Sequence, residues 1–233
     1  MKKNVFFLIC FFQIYRVFAQ ADSKALQFDS LTRVLANAQS DTDRVLIYDK
    51  LMSTAPTDKI GVEYGMKGFE LAKRIHYDEG AILCGNNTGF TMVQLDHYKA
   101  AQLLLETKHT CEMTHNEYEL ARCLCFLGYA YNYSDFQKSI TYYRDGKKLI
   151  DKLNISQSIL PINAIIGNCF KDNNMPDSAL IYIQKGYAYA LKSPIPIPPN
   201  SFYVNFGEVY YQKGQPDTAM SFFRQSIATA KKN

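Results

Sequence analysis

Residues 167–190 read GNCFKDNNMPDSALIYIQKGYAYA, and residues 207–230 read GEVYYQKGQPDTAMSFFRQSIATA. The two stretches begin 40 residues apart and match at the opening glycine, at a Pro-Asp-Ser/Thr-Ala corner and at the final alanine. The corner predicts two helices that meet there, because proline fits the first turn of a helix, where an N–H would have no partner. Self-similarity at a fixed spacing predicts a stack of repeated helix pairs.

The pattern extends back along the chain. A small residue stands early in each predicted second helix at intervals of 39, 39, 40 and 40 residues: Gly61, Ala100, Ser139, Ala179 and Ala219. Four residues later the position is mostly large: Gly65, Leu104, Tyr143, Ile183 and Phe223. Three residues beyond that it is small again: Gly68, Thr107, Gly146, Gly186 and Ser226. We therefore expect this face to pack closely on the first helix of the pair, against Thr88, Gly128, Gly167 and Gly207.

Two pieces carry a family resemblance, Leu127-Gly128-x-x-Tyr131 and Phe206-Gly207-x-x-Tyr210, each followed by the small residue of a second helix. They resemble the tetratricopeptide repeat (TPR) family over about residues 42–231. The resemblance implies an all-α fold, a right-handed α-solenoid of about five TPR-like helix pairs. The period of 39–40 residues is longer than the usual 34. The third copy lacks one residue in its internal turn near Ser134-Asp135, and we expect this to rotate that pair.

Residues 1–19 resemble a secretory signal peptide. Lys2 and Lys3 precede the short apolar run Val5–Ile14, and Val17-Phe18-Ala19 offers a cleavage site after Ala19. Cleavage there predicts a periplasmic or secreted chain. Arg16 near the cleavage site leaves an alternative, in which residues 4–19 stay as an inner-membrane anchor.

The remaining chain divides into an N-terminal helix or cap and a solenoid. We predict the cap at residues 20–40 and the solenoid at 41–233, with repeats at about 41–77, 78–115, 116–154, 155–193 and 200–232. The segment Ser193–Pro199 reads SPIPIPP, and we interpret it as an extended spacer between the last two repeats. The alternative is a proline-rich ligand for an aromatic groove.

Charge disfavours a nucleic-acid partner. The chain has 26 Lys and Arg against 22 Asp and Glu, and the leader holds three of the bases and none of the acids. The mature chain therefore carries a net charge near +1, and no basic stripe remains at the level of sequence.

Catalytic and cofactor motifs are not found in the sequence. GNNTG at residues 85–89 falls on a predicted first helix, and no cofactor is expected. His109, Cys111, Glu112 and His115 have the residue types of a metal site but not its spacing, so we interpret them as solvated residues at a helix end and expect no metal. The five cysteines after the leader are interpreted as buried free thiols, with disulfides as the alternative.

The first helices of a helix-pair stack offer a concave face. Helical spacing from the inner glycines places ten residues there: Arg122, Cys125, Tyr129, Tyr133, Ala164, Asn168, Lys171, Val204, Glu208 and Tyr211. Seven are candidate partner-binding residues, because aromatic rings and polar side chains can hold an extended peptide: Arg122, Tyr129, Tyr133, Asn168, Lys171, Glu208 and Tyr211. The alternative is an ordinary solvated face.

These observations favour a non-catalytic protein- or peptide-binding scaffold in the cell envelope. The chain also resembles the exported TPR front ends of bacterial sensor kinases and regulators. That resemblance implies a periplasmic ligand-sensing module whose output domain is missing or encoded separately. An enzyme is the least favoured class, because no acid, base and nucleophile converge. Phe222, Phe223 and Ile227 on the last helix predict an exposed apolar patch and self-association through the C-terminal repeat.

Overall fold

A computed structural model describes residues 24–132, 134–155, 162–192 and 199–230, and all regular structure within these ranges is helical. The helices are α1 (residues 24–36), α2 (Asp41–Thr54), α3 (Asp58–Arg74), α4 (Asp78–Met92), α5 (His97–Met113), α6 (Glu117–Tyr131), α7 (Phe136–Leu153), α8 (Ile162–Asp172), α9 (Pro176–Ala190), α10 (Asn200–Gln212) and α11 (Pro216–Ala230). The prediction of an all-α fold of TPR-like helix pairs is confirmed.

The chain forms two compact units, Met1–Glu119 and Leu120–Asn233. The first unit contains α1 and two helix pairs, α2–α3 and α4–α5. The second contains the pairs α8–α9 and α10–α11, with α7 and all but the first turn of α6. The predicted leader and the proline-rich spacer lie outside the described residues, apart from Pro199. None of the described helices combines the length and apolar character that a bilayer crossing requires.

Side-chain caps start five of the described helices. The five side chains each accept a hydrogen bond from the backbone N–H three residues on, which satisfies a donor that the helix itself leaves free: Ser40, Thr57, Asp96, Asn116 and Asp135. Pro176 and Pro216 are the first residues of α9 and α11, as the corner motif predicts. α10 begins at Asn200, and Pro199 precedes it without a side-chain cap.

The helices of a pair cross where a glycine faces a large side chain. A Cβ added to Gly128 would lie 2.6 Å from the Tyr143 ring, and one added to Gly207 would lie 2.4 Å from the Phe223 ring. A Cβ added to Gly89 would lie 2.6 Å from the Leu104 side chain. The large member of the small-large-small triplet therefore lies directly on the glycine of its partner helix.

Gly89, and not Thr88, is the crossing residue of the second pair. Thr88 faces the preceding pair instead, with its hydroxyl 2.0 Å from where a Gly65 Cβ would lie. With Gly89 in this role, His97 begins α5 eight residues later, as Phe136 begins α7 eight residues after Gly128. The short internal turn therefore belongs to the second and third pairs alike, and it does not mark the third as exceptional.

In the first pair, the large side chain at the crossing comes from the first helix and the glycine from the second. Gly65 holds the position that is large in the other second helices, and Met52 of α2 fills the space with its sulfur 3.1 Å from a Gly65 Cβ. Because the filling side chain comes from the first helix here, the sequence of α2 shows no inner glycine.

All five described cysteines are buried and none forms a disulfide. They fill space between packed helices, within a pair or between neighbouring pairs. The Cys84 sulfur, for example, lies 2.8 Å from where a Gly68 Cβ would be. Burial raises the pKa of Cys84 and of Cys125 to about 12 and that of Cys169 to about 11. The interpretation as apolar fillers is confirmed.

The last helix exposes a different apolar set from the one predicted. Phe222 stacks on Tyr210 at 5.4 Å between ring centroids, and Phe223 covers Gly207, so both rings turn towards α10. Met220 and Ile227 are the outward residues, 51% and 57% exposed. The predicted apolar patch is present, but only Ile227 of the three expected residues forms it.

Candidate functional site

The described candidate residues lie on α6, α8 and α10, the first helices of the three pairs in the second unit. Tyr129, Asn168 and Glu208 each directly follow an inner glycine, and each is half-buried. This register turns the three side chains away from the second helix of the pair. Tyr133 lies outside the described residues.

The aromatic candidates differ in exposure. Tyr129 is half-buried and packs on the core of the second unit, whereas Tyr211 is 69% exposed. The half-buried Arg122 places its guanidinium 5.6 Å from the Phe126 ring centroid, a cation–π contact within its own helix. Of these three residues, Tyr211 therefore offers the most free surface.

Cys125 and Ala164 are wrongly predicted to lie on this face. Both are buried, at 5% and 7% exposure, and they pack inside their pairs. The Cys125 sulfur lies 3.0 Å from where a Gly146 Cβ would be, and the Ala164 backbone nitrogen lies 2.8 Å from the equivalent point at Gly186. Gly146 and Gly186, the small third residues of the triplet, leave room inside the pair for these two residues.

Lys171 and Glu208 form an ion pair between α8 and α10. The Lys171 ammonium also lies 3.5 Å from Asp172, and its side chain is only 14% exposed. The Gln212 side-chain amide donates to the Lys171 carbonyl at 3.0 Å. The structure thus brings two candidates together and gives them a role in holding the two helices side by side.

A weaker polar contact joins α6 to α8. The Asn132 amide donates to Asp172 at 3.5 Å. Asn132, Asp172 and Gln212 were missed by the sequence analysis, although each stands four or five residues after an inner glycine. One further helical step from the glycine finds them, because residues four apart share a helix face.

Asn168 is a candidate with a buried polar atom that has no hydrogen-bond partner among the described residues. Its side-chain oxygen is buried and accepts no hydrogen bond from any described residue. An amide oxygen left without a donor costs roughly 1–3 kcal/mol. Asn163, earlier in α8, has a second buried oxygen in the same condition.

The first unit has amides on its first helices as well. The fully buried Asn86 donates to the Glu119 carboxylate at 2.8 Å and carbonyl at 3.1 Å, and Asn87 donates to Asp49 at 2.8 Å. These bonds stay inside the unit. Phe90, which follows Gly89, is 42% exposed.

The residue types that suggested a metal do not converge. Cys111 is buried, and Glu112 pairs with Lys108 at 2.6 Å. Within the described ranges, no three His, Cys, Asp or Glu side chains are placed to hold a metal ion together.

Comparison with known proteins supports the fold. No protein-family model matches the chain, and no curated protein matches it by sequence. Among solved structures it is similar to BtubC (BKLC) from P. vanneervenii, with 12% identity, 91% of this chain and 90% of that chain covered, and a TM-score of 0.71. It is also similar to a putative kinesin light chain with TPR-like repeats from Podosopora anserina, with 13% identity, 84% and 98% coverage, and a TM-score of 0.66.

A third similar structure is a Rap protein complexed with competence and sporulation factor. The identity is 13%, 95% of this chain and 74% of that chain are covered, and the TM-score is 0.68. At these identities the likeness shows the fold, which is a TPR-like helical repeat.

Proposed function

We propose that the chain is a non-catalytic scaffold that binds an extended segment of a protein or peptide partner on the α6, α8 and α10 face of its second unit. The observation that carries the proposal is the buried Asn168 oxygen without a donor. A peptide backbone N–H is a donor of the right kind once the half-buried Asn168 side chain turns towards the face, and such a donor is available from a segment of any sequence. Tyr211 adds an exposed ring on α10 of the same unit.

The similar structures support this class of function without assigning a partner. One of them is a Rap protein in complex with competence and sporulation factor, so a protein of this fold is known to hold a factor. The aromatic and amide side chains on the face suit recognition by contact and hydrogen bonding, and the near-neutral mature chain disfavours a nucleic acid.

We further propose that the scaffold acts in the periplasm or outside the cell after cleavage behind Ala19. Cell fractionation followed by N-terminal sequencing tests this directly. We expect the protein in the envelope fraction with Gln20 as its first residue. A membrane-bound chain that keeps its first residues would instead favour the anchored alternative.

Pull-down from envelope extract tests the binding face. We expect wild-type bait to recover a defined protein. Quantified binding to Asn168→Ala should be about fivefold weaker, since one hydrogen bond of about 1 kcal/mol is lost. Tyr211→Ala should weaken binding as well.

Gln137→Ala, an exposed change on α7, is the matched control and should bind as wild type does. Equal recovery by the Asn168 and Tyr211 variants would move the binding surface off this face.

A ligand-sensing module is the second candidate, favoured by the same Rap complex. A sensor requires a ligand that shifts a conformational equilibrium, so its binding must change something besides occupancy. Hydrogen exchange of the purified chain with and without the recovered partner separates the two. A scaffold is protected at the contact face alone, and a sensor also changes protection away from it.

A further inference from the structure

We propose that the chain associates head to tail with copies of itself, with α11 of one copy docking into the groove between α1 and α2 of the next. This goes beyond the proposed partner face, because neither surface includes α6, α8 or α10. In each chain, the groove lies on the first two helices and the docking helix is α11.

The first surface is the outward face of α11. Met220 and Ile227 stand 40 residues after Leu180 and Tyr187 of α9, which are half-buried in the core of the second unit. Tyr187 packs on Phe202 and Phe206 of the following helix, at 5.5 and 5.7 Å between ring centroids. The repeat therefore places on α11 two exposed residues whose counterparts on α9 are half-buried.

The second surface is a groove of about 640 Å³ in the first unit. Its apolar floor includes Val34 of α1, 50% exposed, and Leu46 of α2, 37% exposed, together with the half-buried Ile47. Asp43 precedes this floor on α2 and Lys50 follows it, and both are exposed. The groove has room for a row of apolar side chains from a helix.

The charges of the two surfaces match in spacing and in sign. Asp217 and Arg224 lie seven residues apart on α11, and Asp43 and Lys50 lie seven residues apart on α2. Seven residues are about two turns, so each pair shares one helix face with about 10 Å between its members.

With α11 antiparallel to α2, Asp217 meets Lys50 and Arg224 meets Asp43. Met220 then lies opposite Leu46 and Ile47, and Ile227 lies two turns further on, at the Ala38 and Gln39 end of the groove. A parallel arrangement would bring like charges together, so the charges select one direction. The same charges favour α11 of a second copy as the occupant of the groove.

This contact joins two different surfaces and therefore leaves one of each free at the ends of every dimer. Growth continues into longer chains or closes into a ring. The contact uses one helix and is small, so we expect dissociation constants in the micromolar range or weaker.

Sedimentation velocity of the full chain over a range of concentrations tests the proposal. All samples share residues 1–23, so differences between variants report on the two surfaces. We expect Asp217→Lys and Lys50→Asp each to weaken association by about tenfold, because attraction becomes repulsion. The double variant carrying both changes should recover wild-type association.

Lys59→Asp removes an exposed lysine of α3 outside the groove and is the matched control, which should associate as wild type does. Circular dichroism confirms that each exposed substitution keeps the fold. Wild type that stays monomeric at every concentration overturns the proposal, as does a double variant no better than the single ones.

A mixing experiment separates this contact from a symmetric one. Ile227→Asp blocks the helix face and Leu46→Asp blocks the groove, so each variant alone should be monomeric. A mixture should form dimers, because the intact α11 of one variant binds the intact groove of the other. Association of the Leu46 variant alone, or no dimer in the mixture, contradicts the head-to-tail arrangement.

Discussion

Gly167 stands where the two helices of the fourth pair come closest. A Cβ there would lie 2.6 Å from the Ile183 side chain and 2.9 Å from the Ile183 backbone nitrogen. The backbone atom cannot rotate away, so the absence of a side chain is a packing requirement. At Gly207 the nearest atoms belong to the Phe223 ring, which is half-exposed and free to turn.

Gly167→Ala should therefore destabilise the chain more than Gly207→Ala does. Overpacking costs about 1–3 kcal/mol, and alanine returns about 1 kcal/mol through its better helix propensity. We expect Gly167→Ala to lower the free energy of unfolding by up to about 2 kcal/mol and Gly207→Ala to leave it nearly unchanged. Urea unfolding measures both, and the reverse order would contradict the crossing geometry.

The cysteine thiols are predicted to be unreactive in the folded protein. Burial raises the pKa of Cys84 and Cys125 to about 12 and of Cys169 to about 11, so the reactive thiolate is scarce at neutral pH. We expect Ellman's reagent to titrate none of the five thiols rapidly at pH 8, and all five in denaturant. Rapid reaction of one equivalent in the native state would show that a thiol is open to solvent.

At the scale of the element, α7 depends on its N-cap. The Asp135 carboxylate accepts from the Lys138 backbone N–H at 3.0 Å, and this hydrogen bond holds the pKa of Asp135 below its ordinary value. A lowered carboxyl pKa means that the ionised cap stabilises the folded state. That contribution is present above the unfolded pKa of about 3.9 and is lost as the pH falls through the lower folded value.

Asp135→Asn should remove this pH dependence while keeping an acceptor at the cap. We expect the melting temperature of wild type, compared with that of the variant, to be constant above about pH 5 and to decrease below pH 4. Asp96, which caps α5 with the same lowering of its pKa, should behave alike as Asp96→Asn. Parallel curves for wild type and both variants would show that neither carboxylate contributes as a charge.

At the scale of the whole molecule, α1 covers the start of the repeat stack. Phe28 packs edge-on against Tyr64 of α3 at 5.5 Å between ring centroids, and Leu31 and Leu35 are half-buried beside it. Terminal repeats have one neighbour only and need such a cover. The last repeat has no described helix on its outer side.

Phe28→Ala should lower the free energy of unfolding by about 1 kcal/mol through the lost aromatic contact. Leu26→Ala, two residues away on the same helix and 70% exposed, is the matched control and should change little. Thermal unfolding of the two variants makes the comparison. Equal effects would mean that α1 does not act as a cap.

The repeat register allowed most of the helix pairing to be predicted, because small and large residues alternate where helices cross and that alternation can be read along the chain. The prediction failed at the crossing of the first pair, where the large residue, Met52, stands on the first helix and the small residue, Gly65, on the second. The crossing is filled as in the other pairs, but the order of small and large residues along the sequence is reversed. The prediction also misassigned Thr88, because threonine is small enough to fit either of two neighbouring helix positions.

The candidate face was predicted less completely. Helical spacing placed Asn168 and Tyr211 outside their pairs, since that depends on one helix alone. The pairing of Lys171 with Glu208 depends on how α8 lies beside α10, and no spacing within one helix expresses it.

By itself, the sequence determined the all-α repeat, the crossing residues of the last three pairs and the burial of the cysteines, because each follows from periodicity and side-chain volume. Only the tertiary structure decided which polar groups satisfy one another. It showed that Lys171 is held by Glu208 while the buried Asn168 oxygen has no described donor. It also turned Phe222 and Phe223 inwards and left Met220 and Ile227 outside, because the direction of a side chain is set by the neighbouring helix that it must cover.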